Sequence, residues 1–139
     1  MEKPVTVPDI MLAKGGRKLT MLTASDVCLA RIADQAGADM VLVGDSLAMV
    51  ALGQPDTLGV GLETMLLFTR AVSSGISHAL VVGDMPFLSY QPSDEMAVIS
   101  AGRFLAEGKA SAVKVEGGAR VLPRIRALIA ADIPVMGHI

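Results

Sequence analysis

Two short apolar runs end in the same way: Met40-Val41-Leu42-Val43-Gly44-Asp45-Ser46 and Leu80-Val81-Val82-Gly83-Asp84. Neither alternates apolar with polar residues, so each reads as a strand buried on both faces, as in a parallel sheet covered by helices. Glycine lets the backbone pass close to a ligand, and aspartate then delivers a carboxylate at the strand's C-terminal end. Parallel strands that finish alike aim their carboxylates at one rim, where α/β proteins keep their active sites. A single such Asp reads as a helix cap; two at equivalent positions favour a site for a hard cation.

Helix and strand signals alternate along the rest of the chain. A short helix is expected over about 7–14, with Pro8 in its first turn. Lys18 to Thr23 is the first strand, and Ser25 or Asp26 caps a helix that reaches about Ala36 and stops at Gly37. Beyond the second strand and Asp45-Ser46, Leu47 to about Gly61 reads as a long loop, either a cover over the rim or a surface excursion. A helix over Leu62 to Ser74 puts Leu62, Met65, Leu66, Thr69 and Val72 on one face. After the third strand, Met85 to Pro92 forms a second rim loop, and Ser93 caps a helix that ends near Gly108. The fourth strand, Ser111 to Glu116, carries Lys114 and Glu116 two apart and hence on one face. Such a charged pair faces a polar site, or else lies on the solvated face of an edge strand. Pro123 opens a further helix, Asp132 ends it where glycine would be easier, and Ile133 to Ile139 begins a fifth strand.

Strict β–α alternation implies right-handed crossovers and a parallel sheet. The strand ends supply Asp45, Asp84, Glu116 and His138 in turn, the pattern of a (β/α)₈ TIM barrel's rim. A complete barrel needs about 250 residues. Residues 1–139 therefore read as one domain holding roughly the first five strands, a half barrel whose outer strands want a covering chain.

Composition narrows the function. Hydrophobic residues make up 52% and aromatic ones 3%, so aliphatic side chains and Met must fill the core. A net charge of −2, no Trp and one Tyr leave neither a basic stripe nor stacking platforms for nucleic acid. No uncharged stretch reaches the ~20 residues of a membrane span, and the N-terminus lacks the apolar segment of a signal peptide. The single cysteine, Cys28, cannot form an internal disulfide and is expected in a helix core. The expectation is a reduced, cytoplasmic protein. His78, away from the rim, reads as a surface or packing residue, and Gly117-Gly118 is a weak phosphate-binding signal.

Five collinear blocks carry a resemblance: Met21-Leu22-Thr23-Ala24, Val43-Gly44-Asp45-Ser46, Asp84-Met85-Pro86-Phe87 with Ser89-Tyr90 one residue on, Val113-Lys114-Val115-Glu116-Gly117-Gly118 and Pro134-Val135-Met136-Gly137-His138-Ile139. Together they resemble the ketopantoate hydroxymethyltransferase family, over essentially the whole chain. The resemblance implies transfer of a one-carbon unit from 5,10-methylenetetrahydrofolate to 3-methyl-2-oxobutanoate, giving 2-dehydropantoate for pantothenate biosynthesis, in a cytoplasmic homo-oligomer. It implies Mg²⁺ held by Asp45 and Asp84, with Glu116 completing the acidic site, and a magnesium-stabilised enolate of the keto acid. Ser46, Lys114 and His138, together with Asp45 and Asp84, take the substrate-binding positions. It places the proton-abstracting glutamate beyond residue 139, so no residue of this chain is assigned as the catalytic base and the isolated chain is expected to be nearly inactive. Ser25 stands where the family usually has Tyr, and the 52–61 loop also departs from its pattern.

Two other readings compete. One is a Mg²⁺-dependent carbon–carbon lyase of the phosphoenolpyruvate mutase and isocitrate lyase superfamily, which also brings strand-end carboxylates to magnesium. The other is a non-catalytic half-barrel that folds by pairing with another chain.

Overall fold

The computed structural model describes residues 3–139. Five parallel strands form one sheet in chain order: β1 (Met21–Thr23), β2 (Met40–Val43), β3 (Leu80–Asp84), β4 (Ala112–Glu116) and β5 (Val135–His138). Every pairing is parallel. Sequential order without reversal belongs to a barrel segment; a doubly wound sheet reverses at a switch point. The fold is α/β of the (β/α)₈ type, with five strands in place.

Helices α1 (Val7–Leu12), α2 (Val27–Gln35), α3 (Leu47–Val50), α4 (Leu62–Ser73), α5 (Asp94–Ala106) and α6 (Leu122–Ala130) complete the chain, with a 3₁₀ turn at Gly118–Val121. Their boundaries follow local chemistry. The Asp26 carboxylate accepts from the N–H groups of Cys28 and Leu29, and Gly37 leaves α2 at φ +78°. Ser93 accepts from Met96 N–H, and Asp132 takes φ +58° after α6.

Three expectations are revised. β1 begins at Met21, not Lys18, because the Thr20 N–H is taken by the Asp39 carboxylate at 2.8 Å. The segment after Ser46 is not all loop: Leu47 and Ala48 bury themselves as α3. Cys28 is exposed, since the α2 face that packs inward carries Ala30, Ala33 and Asp34.

Residues alternate between the two faces of the sheet. Val41, Val43, Val81, Val113 and Val115 point to the helices and join Met65, Val72, Ala97, Ala101, Phe104 and Leu128 in the main core. Gly83 lies on this face because Phe104 takes its space: a Cβ there would stand 2.3 Å from the Phe104 ring. Met40, Leu42, Leu80, Val82 and Ala112 point the other way into a smaller cluster, against which Val7 and Ile10 pack. Thr6 and Asp9 start α1 as a reciprocal capping box, and Val5 N–H donates to the His78 carbonyl, tying α1 to the N-terminal side of β3. An apolar cavity of about 490 Å³ beneath α1 lies away from the charged strand ends and gathers no convergent polar groups. No helix among the described residues is long and apolar enough to cross a membrane.

Candidate active site

Asp84 is the last residue of β3, and Lys114 is its register partner in β4. Both turn away from the helix layer, since their strand neighbours Gly83 and Val113 face it. Lys114 Nζ donates to both Asp84 carboxylate oxygens, at 2.8 and 2.9 Å. Burial pushes the Asp84 carboxyl above its ordinary range, and the hydrogen bonds and charge of Lys114 recover only part of that shift. β4 lies between β3 and β5, so its charged pair does not belong to an edge strand.

The register corrects one expectation. Val43 pairs with Gly83, so Gly44, not Asp45, lies beside Asp84. Asp45 comes one residue later, half-buried, and its backbone N–H donates to Asp84 Oδ2 at 3.3 Å. A Cβ on Gly44 would lie 3.8 Å from that oxygen and 3.2 Å from Ser46 Oγ. The glycine thus leaves room for polar atoms at the rim. The two Gly-Asp endings are alike in sequence and different in use: Gly83 serves helix packing, and Gly44 serves the site.

Ser46 stands at the N-terminus of α3, where its hydroxyl makes no capping hydrogen bond. Glu116 pairs in register with His138, and its Oε2 lies 2.8 Å from His138 Nδ1 and 3.9 Å from Lys114 Nζ. One cavity of about 370 Å³ is lined by Asp45, Ser46, Asp84, Lys114, Glu116 and His138, with Leu42 and Met136 as apolar walls. A second, of about 260 Å³, shares Asp45, Asp84 and Glu116 and adds Phe87, Tyr90 and Arg120. Ser25 lies apart, with Gly44 and Ser46 in a pocket of about 130 Å³.

Tyr90 carries no role in the sequence reading, although it closes the third resemblance block. Its hydroxyl donates to the Glu116 carbonyl at 2.8 Å and accepts from the Glu116 N–H at 3.1 Å. His78 lies elsewhere, its Nδ1 3.0 Å from the Lys3 carbonyl. Gly117 is explained by its turn: φ is +140°, and a Cβ would meet Val121 at 2.7 Å.

Among the described residues no three His, Cys, Asp or Glu side chains converge as a ready-made metal cage. Magnesium asks for less, typically one or two carboxylates with water or substrate oxygens completing its octahedron. Asp45 and Asp84 line one cavity and offer hard oxygen donors of that kind. These donor types suit Mg²⁺; Lys114 donates to both Asp84 oxygens, and His138 engages Glu116.

The sequence model of the ketopantoate hydroxymethyltransferase family matches residues 4–139. The 3-methyl-2-oxobutanoate hydroxymethyltransferase of Syntrophobacter fumaroxidans is 58% identical over 139 residues, which are 100% of this chain and 49% of that protein. The enzyme of the same name from Clostridium novyi is 56% identical over 135 residues, 96% of this chain and 49% of its own length. This chain spans about half the length of the curated relatives it matches. Among solved structures, phosphonopyruvate hydrolase in complex with oxalate and Mg²⁺ superposes with a TM-score of 0.76 at 21% identity, over 95% of this chain and 52% of that one. For 2,3-dimethylmalate lyase, a PEP mutase/isocitrate lyase superfamily member, the TM-score is 0.65 at 19% identity, over 86% and 48% of the two chains. These structural likenesses establish the fold alone. With its family model matched from Pro4 to Ile139, the chain belongs to the ketopantoate hydroxymethyltransferase family.

Proposed function

We propose that the protein transfers a hydroxymethyl group from 5,10-methylenetetrahydrofolate to 3-methyl-2-oxobutanoate, giving 2-dehydropantoate in pantothenate biosynthesis. The observation that carries this reading is one cavity where a carboxylate pair, Asp45 and Asp84, meets Ser46, Lys114 and His138, groups suited to an anionic keto acid. Asp45 and Asp84 would hold Mg²⁺, with Glu116 reaching it through water. Bound there, the cation would supply positive charge to the substrate's oxygens as C3 loses its proton. Lys114, held in place by Asp84, presents its ammonium to the substrate carboxylate, and the uncapped Ser46 hydroxyl donates beside it. Nδ1 of His138 lies 2.8 Å from Glu116 Oε2, so that ring nitrogen is engaged by the carboxylate. The other ring nitrogen, Nε2, is the one His138 has to offer to a substrate oxygen.

The reading includes a base from outside these 139 residues. A polypeptide limited to them should turn over little, since general acid–base help is worth ~10²–10⁴-fold. It also includes a cytoplasmic location and assembly with further copies; the latter is supported by apolar side chains left exposed, among them Ile32, Val50 and Leu67.

The test is an assay of the full-length protein with Mg²⁺, both substrates and proton NMR detection. Formation of 2-dehydropantoate, together with exchange of the keto acid's C3 proton, supports transfer. Release of pyruvate or glyoxylate from lyase substrates, with no 2-dehydropantoate, would replace it with the lyase reading that the fold alone also permits.

A further inference from the structure

We propose that Tyr90 is a positioning residue that finishes the β4 end of the sheet and so fixes Glu116 and His138 at the substrate cavity. The inference rests on the transferase reading for what that cavity binds, and on geometry for the rest.

Backbone groups along a strand alternate between its two edges. Met85 N–H donates to the Lys114 carbonyl, so Lys114 faces β3 and Glu116, two residues on, faces the same edge. The next rung from β3 would have to come from Phe87. The chain has by then turned off: Pro86 follows Met85, and both the N–H and the hydroxyl of Ser89 donate to the Pro86 carbonyl, at 3.0 and 2.7 Å. Leu88, at φ +64°, completes this tight reversal and returns Tyr90 beneath the end of β4. There a single phenol supplies both partners that the lost rung would have given, a donor for the Glu116 carbonyl and an acceptor for its N–H. Tyr90 is 3% exposed, so solvent does not compete for these bonds.

Fixing the Glu116 backbone sets the point from which its exposed side chain reaches His138. The Glu116 side chain holds His138 Nδ1 at 2.8 Å, and Lys114, two residues back on the same face, reaches Asp84. The hydrogen bonds of the Tyr90 hydroxyl go to the Glu116 backbone and not to the side chains proposed to hold the keto acid. It acts through the strand.

The decisive variant is Tyr90→Phe in the full-length protein, which keeps the ring and removes only the hydroxyl. Amide hydrogen exchange at Glu116 should accelerate roughly tenfold or more. KM for the keto acid should rise about tenfold, the scale of one hydrogen bond lost from a buried group, while KM for the folate donor stays within about twofold. Unchanged exchange at Glu116 overturns the proposal. So does a fall in kcat that only tracks the folded fraction, with both KM values unmoved. Should Tyr90→Phe fail to fold, site-specific Tyr90→3-fluorotyrosine retains the hydroxyl; its ¹⁹F resonance must shift when 3-methyl-2-oxobutanoate is added with Mg²⁺, and an unmoved signal at saturating keto acid counts against the role. Absence of turnover in the wild-type protein would refute the transferase reading, whereas Glu116 exchange needs no turnover and judges Tyr90 separately.

Discussion

Lys114 sets its ammonium nitrogen 2.8 and 2.9 Å from the two carboxylate oxygens of Asp84, across one rung between β3 and β4. Both side chains are largely buried. A buried ion pair contributes little net stability over an apolar pair, yet removing one partner strands the other charge in a dry site. The rim is therefore built so that neither residue tolerates the loss of its mate.

Replacing Lys114→Met should destabilise the protein by about 3 kcal/mol near neutral pH, the usual cost of an orphaned buried charge. The sign of the pH dependence follows from Asp84, whose carboxyl already titrates above its unfolded value because of burial. A raised folded pKa means stability that is present at low pH and lost as pH rises through that pKa. Without Lys114 the rise is larger, so the deficit of the variant should grow from pH 4.5 to pH 8 in urea unfolding. A deficit that shrinks over that interval would contradict this account.

Asp34 predicts the opposite trend. Its carboxylate accepts from Ser77 N–H and Oγ, His78 N–H and Ala79 N–H, clamping α2 to the start of β3. Burial raises its pKa, but the hydrogen bonds from Ala79 and Ser77 outweigh burial and hold it below the ordinary range. This stability is fully present above the unfolded Asp pKa of about 3.9 and is lost progressively as pH falls from there through the depressed folded value. Asp34→Asn, with one acceptor oxygen and a misplaced donor, should cost about 2 kcal/mol at pH 7. Thermal melts should show the gap between variant and wild type narrowing steadily as pH falls below about 4.

Gly83→Ala should destabilise by about 2 kcal/mol through overpacking, because its methyl would enter the Phe104 ring. The diagnostic measurement is the double variant Gly83→Ala with Phe104→Leu. Relief of the clash should make it more stable than the sum of the two single changes predicts. Strict additivity would show that Phe104 is not the obstacle.

Leu88 is an exposed non-glycine residue at φ +64°. A left-handed conformation costs such a residue roughly 1–2 kcal/mol, part of which glycine returns through its larger unfolded-state entropy. Leu88→Gly should raise stability by about 0.5 kcal/mol, read as a small upward shift in Tm with the Tyr90 bonds preserved.

Much of the fold is legible in the sequence itself. Unbroken Val-rich runs specified a parallel sheet, and the caps at Asp26 and Ser93, with the turn at Asp132, follow from chemistry local to those residues. Lys114 and Glu116 share a face simply because they are two apart in a strand. Register was not legible. The matching Gly-Asp endings suggested equivalent aspartates, and only the pairing of Val43 with Gly83 shows them to be one step out of phase. Long-range side-chain partners were equally silent in the sequence: Asp84 with Lys114, Phe104 against Gly83, and the Tyr90 hydroxyl on the Glu116 backbone. Cys28 misled because apolar neighbours in sequence need not be neighbours on a helix face.

On β3, Val81 and Gly83 belong to the helical coat, while Leu80, Val82 and Asp84 belong to the concave side. Structural and chemical inheritance are thus interleaved letter by letter on one strand. A change at 83 must be answered by one at 104, whereas a change at 84 must be answered by one at 114. One strand thus carries two separate sets of obligations, sorted by nothing more than odd and even position.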